Sequence, residues 1–200
     1  MYEVEVKVRA DHDDVRERLD ELGATPVGRV VQEDVYYDAP HREFAETDEA
    51  LRVRRQRRRA RGEGDAAGDE RAGADDRHDE EVVTYKGPLV EEESKTRREV
   101  ETGVVDAESA HDVFDALGFD PAATVRKERE YYELDGYTVT LDAVDDLGEF
   151  VEVEVEADES DIEAAREGAY AVLDDLGLDP DEQIRTSYLG LLLADEDASE

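Results

Sequence analysis

The chain opens on strict alternation. Val4, Val6 and Val8 fall on one face and Glu3, Glu5, Lys7 and Arg9 on the other, the period-two mark of a strand with one buried and one charged face. Val15, Leu19 and Leu22 then recur at helical spacing over 12–22, and Gly23 stops that helix. The Val- and Tyr-rich stretch 27–38 predicts a second strand, ended by Ala39-Pro40, and 49–57 a third. Residues 80–87 and 94–102 read as two more strands. Ala110, Val113, Phe114 and Leu117 line one side of an amphipathic helix over 106–117, closed by Gly118. Strands at 122–134, 137–145 and 149–157 follow, linked by the tight-turn pairs Asp135-Gly136 and Leu147-Gly148. Helices are predicted over 161–176, closed by Gly177, and over 181–193. Eight strands and about four helices in a repeated strand–helix–strands order predict an α+β fold. Its antiparallel sheet is curled or closed into a barrel with the helices outside.

One stretch breaks the pattern. Residues 58–79 hold Gly, Ala and charge with no large apolar side chain and read as a flexible loop inserted in a hairpin. The cluster Arg57, Arg58, Arg59 and Arg61 at its start reads as a solvated loop end near a strand rather than a nucleic-acid patch. The acidic 194–200 reads as a disordered tail, which leaves 1–193 as a single domain.

Charge then changes the picture. The 200 residues carry 59 acids and 24 bases, a net charge of −35. Such a surface repels nucleic acid. There is no Cys, hence no disulfide, thiolate metal site or Cys nucleophile. Residues 1–10 lack the apolar core of a signal peptide and no apolar run approaches a membrane span, so a soluble cytoplasmic protein without a membrane partner is expected. Acidity of this degree, with enough Leu, Ile, Val and Phe for a core, fits a halophilic protein better than a disordered one. A homodimer is compatible with all of this. The four lysines, Lys7, Lys86, Lys95 and Lys127, are scarce enough to suggest function.

The charged strand faces carry the chemistry. A wet face in so acidic a chain should be acidic, yet Lys7, Arg52, Arg54, Lys86, Lys127 and Arg129 all fall on strands. The fifth strand offers Arg98, or alternatively Arg97 with Glu99 and Glu101 on the other face. Cations gathered in this way suit a polyanion, because Arg binds phosphate through two parallel hydrogen bonds and Lys acts as a point charge. Glu3, Glu5, Asp142, Glu152 and Glu154 form a hard-oxygen set at strand spacing, suited to Mg²⁺ or Mn²⁺ bridging to phosphate oxygens. If the sheet closes, both sets converge in one lumen.

Glu3-x-Glu5-x-Lys7 resembles the ExExK signature of the CYTH superfamily, the triphosphate tunnel metalloenzymes. Further matches follow in order: Asp34-Val-Tyr36-Tyr37-Asp38, Leu51-Arg52-Val-Arg54, Tyr85-Lys86-Gly87, Arg98-Glu99, Val125-Arg126-Lys127-Glu-Arg129, Leu141-Asp142 and Leu147-Gly148-Glu-Phe150-Val-Glu152-Val-Glu154. The resemblance implies an eight-stranded antiparallel β-barrel tunnel flanked by helices. It implies Glu3, Glu5, Glu152 and Glu154 as ligands of Mg²⁺ or Mn²⁺, assisted by Asp142. It implies Lys7, Arg52, Arg54, Lys86, Arg98, Lys127 and Arg129 as the triphosphate clamp. Tyr36 would sit beside Lys7, and Lys7, Tyr36 and Asp142 are the candidate catalytic residues. The partner is a triphosphate-containing small molecule, ATP or an inorganic or organic triphosphate.

Ser187-Tyr188-Leu189-Gly-Leu191-Leu192 is similar to the ending of the class IV adenylate cyclase branch, the CyaB-like enzymes. That points to conversion of ATP to cyclic AMP and pyrophosphate. A triphosphatase acting on inorganic, thiamine or nucleoside triphosphate would use the same tunnel. A polyphosphate-binding module without turnover would not need the carboxylate set. His12, His41, His78 and His111 show no metal-ligand spacing, and Gly62 to Gly73 lacks the Gly-Lys-Ser/Thr close of a P-loop.

Overall fold

The computed structural model describes residues 2–42, 44–59, 80–90 and 94–197. Eight strands run β1 (Tyr2–Arg9), β2 (Thr25–Asp38), β3 (Ala50–Arg59), β4 (Glu80–Leu89), β5 (Arg97–Gly103), β6 (Asp120–Leu134), β7 (Tyr137–Val144) and β8 (Gly148–Ala157). They close into a barrel in the order β1-β5-β4-β3-β2-β6-β7-β8, every neighbour antiparallel. Two meanders, β2 to β5 and β6 to β8, are stitched by the β2–β6 and β1–β8 pairings. The expected Asp135-Gly136 turn joins β6 to β7 with φ of 52° and 85°, the left-handed pair of a type I′ turn.

The alternation seen in the sequence turns the barrel inside out. The apolar faces point outward under helices α1 (His12–Glu21), α3 (Ala107–Ala116) and α4 (Ile162–Asp175). Val6, Val8, Val139, Leu141, Val151 and Val153 pack against Val15 and Leu19 of α1 and Ala169, Val172 and Leu173 of α4. On the other flank Val53 and Tyr37 meet Ala107, Ala110 and Phe114 of α3. Asp11 caps α1 by accepting from the amide of Asp13 at 2.9 Å, and Asp106 caps α3 through Ser109 at 2.9 Å. With the apolar side buried outside, the ionic faces have only the lumen left to occupy.

The C-terminal region departs from expectation. Instead of one helix over 181–193, a single 3₁₀ turn at Pro180–Glu182 leads into extended chain, and helix α5 spans Tyr188–Asp197. The extended part is held because the Ile184 amide donates to the Lys7 carbonyl at 2.6 Å. Ser187 then starts the helix, its Oγ accepting from the Gly190 amide at 3.1 Å. Residues 194–197, within the stretch expected to be a tail, continue α5; 198–200 lie outside the described residues. Residues 184–192 plug one barrel end, packing Tyr188 with inward-facing Tyr36, Val125, Val144 and Phe150, and Ile184, Leu189, Leu191 and Leu192 behind. A short helix α2 (Phe44–Thr47) at the same end was not expected. Of the predicted 58–79 loop, Arg58 and Arg59 belong to β3, and 60–79 lie outside the described residues. No described helix is long and apolar enough to cross a membrane.

Candidate active site

Register brings the predicted residues together. Lys7 lies opposite Glu152 and Glu5 opposite Glu154 across β1–β8. Asp34 faces Arg54, and Tyr36 faces Arg52, across β2–β3. Arg129 faces Asp142 across β6–β7, and Lys86 faces Glu99 across β4–β5. These side chains surround a cavity of about 180 Å³ whose lining includes Glu3, Glu5, Arg52, Arg54, Lys86, Lys127, Arg129, Glu152 and Glu154. Lys7 and Asp142 lie deeper, 2% and 0% exposed.

Within the lumen most cations hold a carboxylate. Arg54 donates through Nε and Nη2 to the two oxygens of Asp34 at 2.6 and 2.7 Å, and Arg52 reaches Asp34 Oδ2 at 3.4 Å. The opposing pull of Arg54 and Arg52 outweighs the burial that would raise it, so the Asp34 carboxyl sits well below the usual range. Asp142 Oδ1 accepts from Arg129 Nε at 2.5 Å; its Oδ2 accepts from Lys127 Nζ and Tyr188 OH at 3.0 Å each, and from Arg129 Nη2. Arg129 also pairs with Glu152. Lys86 bridges Glu99 at 2.7 Å and Glu3 at 3.2 Å.

Three carboxylates gather where β1 meets β8. One oxygen each of Glu5, Glu152 and Glu154 lies within 4.8 Å of the others. Burial, reinforced by Glu3, Glu152 and Glu5 and opposed by Arg129, pushes the Glu154 carboxyl up to about 8. A divalent cation bound beside Glu154 would favour its ionised form. The donors are hard oxygens without His or Cys, so the cluster fits Mg²⁺ or Mn²⁺. Asp142 differs, because its oxygens are taken up by Arg129, Lys127 and Tyr188.

Two lysines are perturbed by the same crowding. Burial, then Lys95, lowers Lys7 to about 7 against the pull of Glu5 and Glu152. Burial, then Arg129, lowers Lys127 to about 8. Both ammoniums sit over the Tyr188 ring, Lys7 at 4.2 Å and Lys127 at 4.9 Å from its centroid. The aromatic partner of Lys7 is therefore Tyr188 rather than the expected Tyr36, whose hydroxyl instead accepts from Arg52 Nη1 at 3.5 Å.

The fifth strand is corrected as well. Arg98 is exposed, whereas Arg97 is 2% exposed and lines the cavity, held by Asp48 through its carbonyl at 2.7 Å and Oδ2 at 2.6 Å. Glu99 and Glu101 share its face. Lys95, Arg97, Glu99 and Glu101 follow one another at period two on this face. Asp34, Lys95 and Tyr188 were also left without a role. Lys95, 9% exposed, pairs with Glu5 Oε1 at 3.4 Å, so all four lysines of the chain face the lumen.

The CYTH domain family matches residues 1–188. The Methanocaldococcus jannaschii protein named "Putative adenylate cyclase MJ0240" is 35% identical over 193 residues, 96% of this chain and 98% of that one. The solved PH1819 protein from Pyrococcus horikoshii superposes with a TM-score of 0.82 at 37% identity, covering 96% of this chain and 99% of that one. A Vibrio parahaemolyticus structure described as a putative adenylate cyclase superposes with a TM-score of 0.76 at 20% identity, over 96% of this chain and 98% of that one, which shows the shared fold. None of these relatives supports the high-salt explanation of the acidity. Whole-length matches in sequence and in barrel topology place this chain in the CYTH domain family.

Proposed function

We propose that this protein is a divalent-metal-dependent adenylate cyclase of class IV, converting ATP to cyclic AMP and pyrophosphate. One observation carries the triphosphate chemistry: the Glu5, Glu152 and Glu154 cluster stands in the same closed lumen as Arg52, Arg54, Lys86, Arg97, Lys127 and Arg129. Pure anion binding needs the cations alone. The cyclase reading is further supported by the M. jannaschii relative and by the Ser187-Tyr188-Leu189 ending, which lines the cavity.

A divalent ion held by Glu5, Glu152 and Glu154 would neutralise phosphate charge and acidify the attacking ribose hydroxyl. The chain's own residues do the rest. Arg52 and Arg54 from one wall, and Lys127 and Arg129 from the other, grip the phosphates and hold the reacting oxygen in line with the phosphorus. The cations stabilise the charge that builds on the departing pyrophosphate. Asp34 and Asp142 act through these cations, fixing Arg54 and Arg129 in place. The plug at one end excludes water and leaves approach from the other.

A second reading, hydrolysis of a triphosphate to orthophosphate, is favoured by the lining itself, which is mostly charged and offers few apolar side chains for a base among the described residues. The test is incubation with ATP, and separately with inorganic triphosphate, in Mg²⁺ or Mn²⁺. Cyclic AMP with pyrophosphate supports the cyclase. Orthophosphate alone supports the triphosphatase, and no turnover of either substrate overturns both.

A further inference from the structure

Lys95 stands outside the machinery described so far. It is not on a strand but in the segment entering β5, and its amide donates to the Glu5 carbonyl at 3.2 Å. That bond turns its side chain, 10% exposed, into the barrel, where its ammonium lies 3.4 Å from Glu5 Oε1. Its charge also reaches Lys7 and Glu152. Glu5 and Glu152 are two of the three clustered carboxylates. A lysine on a flexible four-carbon stem, against a carboxylate that a divalent ion would also need, competes with that ion for the same lone pairs. Lys86 is engaged differently, with Glu3 and Glu99, neither of which belongs to the cluster.

We propose that Lys95 is the internal counter-cation of the carboxylate cluster: it neutralises Glu5 until a divalent ion takes that oxygen, and the released ammonium then turns to the phosphates of the substrate. This rests on the metal-dependent reading above and adds an order of events to it. The carboxylates are charge-compensated before the metal arrives, and the metal's arrival frees a positive charge for the anion. Metal and triphosphate would then bind with positive coupling through one side chain.

Two measurements on the full chain test this. The first is Mn²⁺ binding without nucleotide, by calorimetry, in the parent, Lys95→Met, Lys86→Met and Glu5→Gln. Lys95→Met should bind Mn²⁺ about tenfold tighter, as expected for removing a unit charge beside the ion at high effective dielectric, and Lys86→Met should change it less. The second is the lysine ¹³Cε–¹Hε NMR spectrum, simple because the chain has four lysines. The signal missing in Lys95→Met should be the one that moves most on adding Mg²⁺ to the parent. Unchanged or weaker Mn²⁺ affinity in Lys95→Met, an equal gain in Lys86→Met, or a Lys95 signal indifferent to Mg²⁺ would overturn the proposal while leaving the metal site standing. Parent protein that binds no Mn²⁺, or binding indifferent to Glu5→Gln, would remove the metal reading itself.

Discussion

Asp34→Asn isolates what the lumen carboxylates do for the fold. Asp34 is 1% exposed and accepts two short hydrogen bonds from Arg54 and a longer one from Arg52. The amide keeps the shape and one acceptor oxygen but leaves the buried Arg54 guanidinium without its counter-charge and Arg52 with Glu99 alone, at 3.7 Å. Removing one partner of a buried pair costs about 3–5 kcal/mol, whereas the intact pair adds far less. The lower end applies here, because Arg54 retains an acceptor and the cavity admits water. For a chain of this size each kcal/mol moves Tm by about 2–4 °C, so a fall of about 6–12 °C is expected by circular dichroism. Inorganic triphosphate restores the missing negative charge, so at saturation it should raise the variant's Tm more than the parent's. The pH dependence has a definite sign. The folded carboxyl lies below its unfolded value near 4. Its contribution is therefore complete at neutral pH and is lost as pH falls below about 4 toward the folded value. The gap between parent and variant should close on acidification and not on alkalinisation. A variant melting within about 2 °C of the parent at pH 7, or an equal triphosphate shift in both proteins, refutes the reasoning.

Glu5→Ala or Glu154→Ala should abolish turnover with the far-ultraviolet spectrum unchanged; normal activity in either variant sinks the metal-site assignment. Arg54→Ala should raise KM and lower kcat for any triphosphate substrate, with kcat/KM falling by about 10²–10³, and an unchanged kcat/KM removes Arg54 from the site. Arg97→Ala should lower kcat/KM while Arg98→Ala leaves it within about twofold, since exposed substitutions away from a site are nearly silent; steady-state kinetics on the two variants would expose a reversed assignment.

The barrel was legible because each strand repeats one rule. Val4, Val6 and Val8 against Glu3, Glu5 and Lys7, and Val151, Val153 and Val155 against Glu152, Glu154 and Glu156, fix a face without any tertiary information. Where alternation fails, the reading failed with it. In Lys95-Thr-Arg97-Arg98-Glu99 both arginines are plausible from spacing alone, and only the pairing of Glu3 with Arg97 chooses between them. Lys95 precedes the strand, and its amide bond to the Glu5 carbonyl carries the alternation of Arg97, Glu99 and Glu101 one step into the entering segment. Tyr188 fits equally well as packing or as site, and it is both: its ring belongs to the apolar plug while its hydroxyl reaches Asp142. The late start of α5 depends on Ile184 bonding to β1, a partner 177 positions away in the chain, which no local pattern encodes.

The charge of −35 also means something different once the lumen is separated from the surface. Lys7, Arg52, Arg54, Lys86, Lys95, Arg97, Lys127 and Arg129 face Glu3, Glu5, Asp34, Glu99, Glu101, Asp142, Glu152 and Glu154, with Asp48 and Glu49 on the same lining, so eight basic side chains meet ten acidic ones. The lumen is therefore close to balanced in charge, and most of the excess lies outside it. A neutral set of paired ions can be buried where an excess of either sign would repel itself and pull in counter-ions. The same balance constrains the ligand. A nucleoside triphosphate carries about four negative charges at neutral pH, since its terminal phosphate has a second pKa near 6. Bound alone it would break the balance, and a divalent ion alone would break it the other way. Bound together, one or two divalent ions and a triphosphate leave the lumen near neutral and exchange internal ion pairs for pairs with the ligand. Affinity for either component should therefore be weak in isolation and strong in combination.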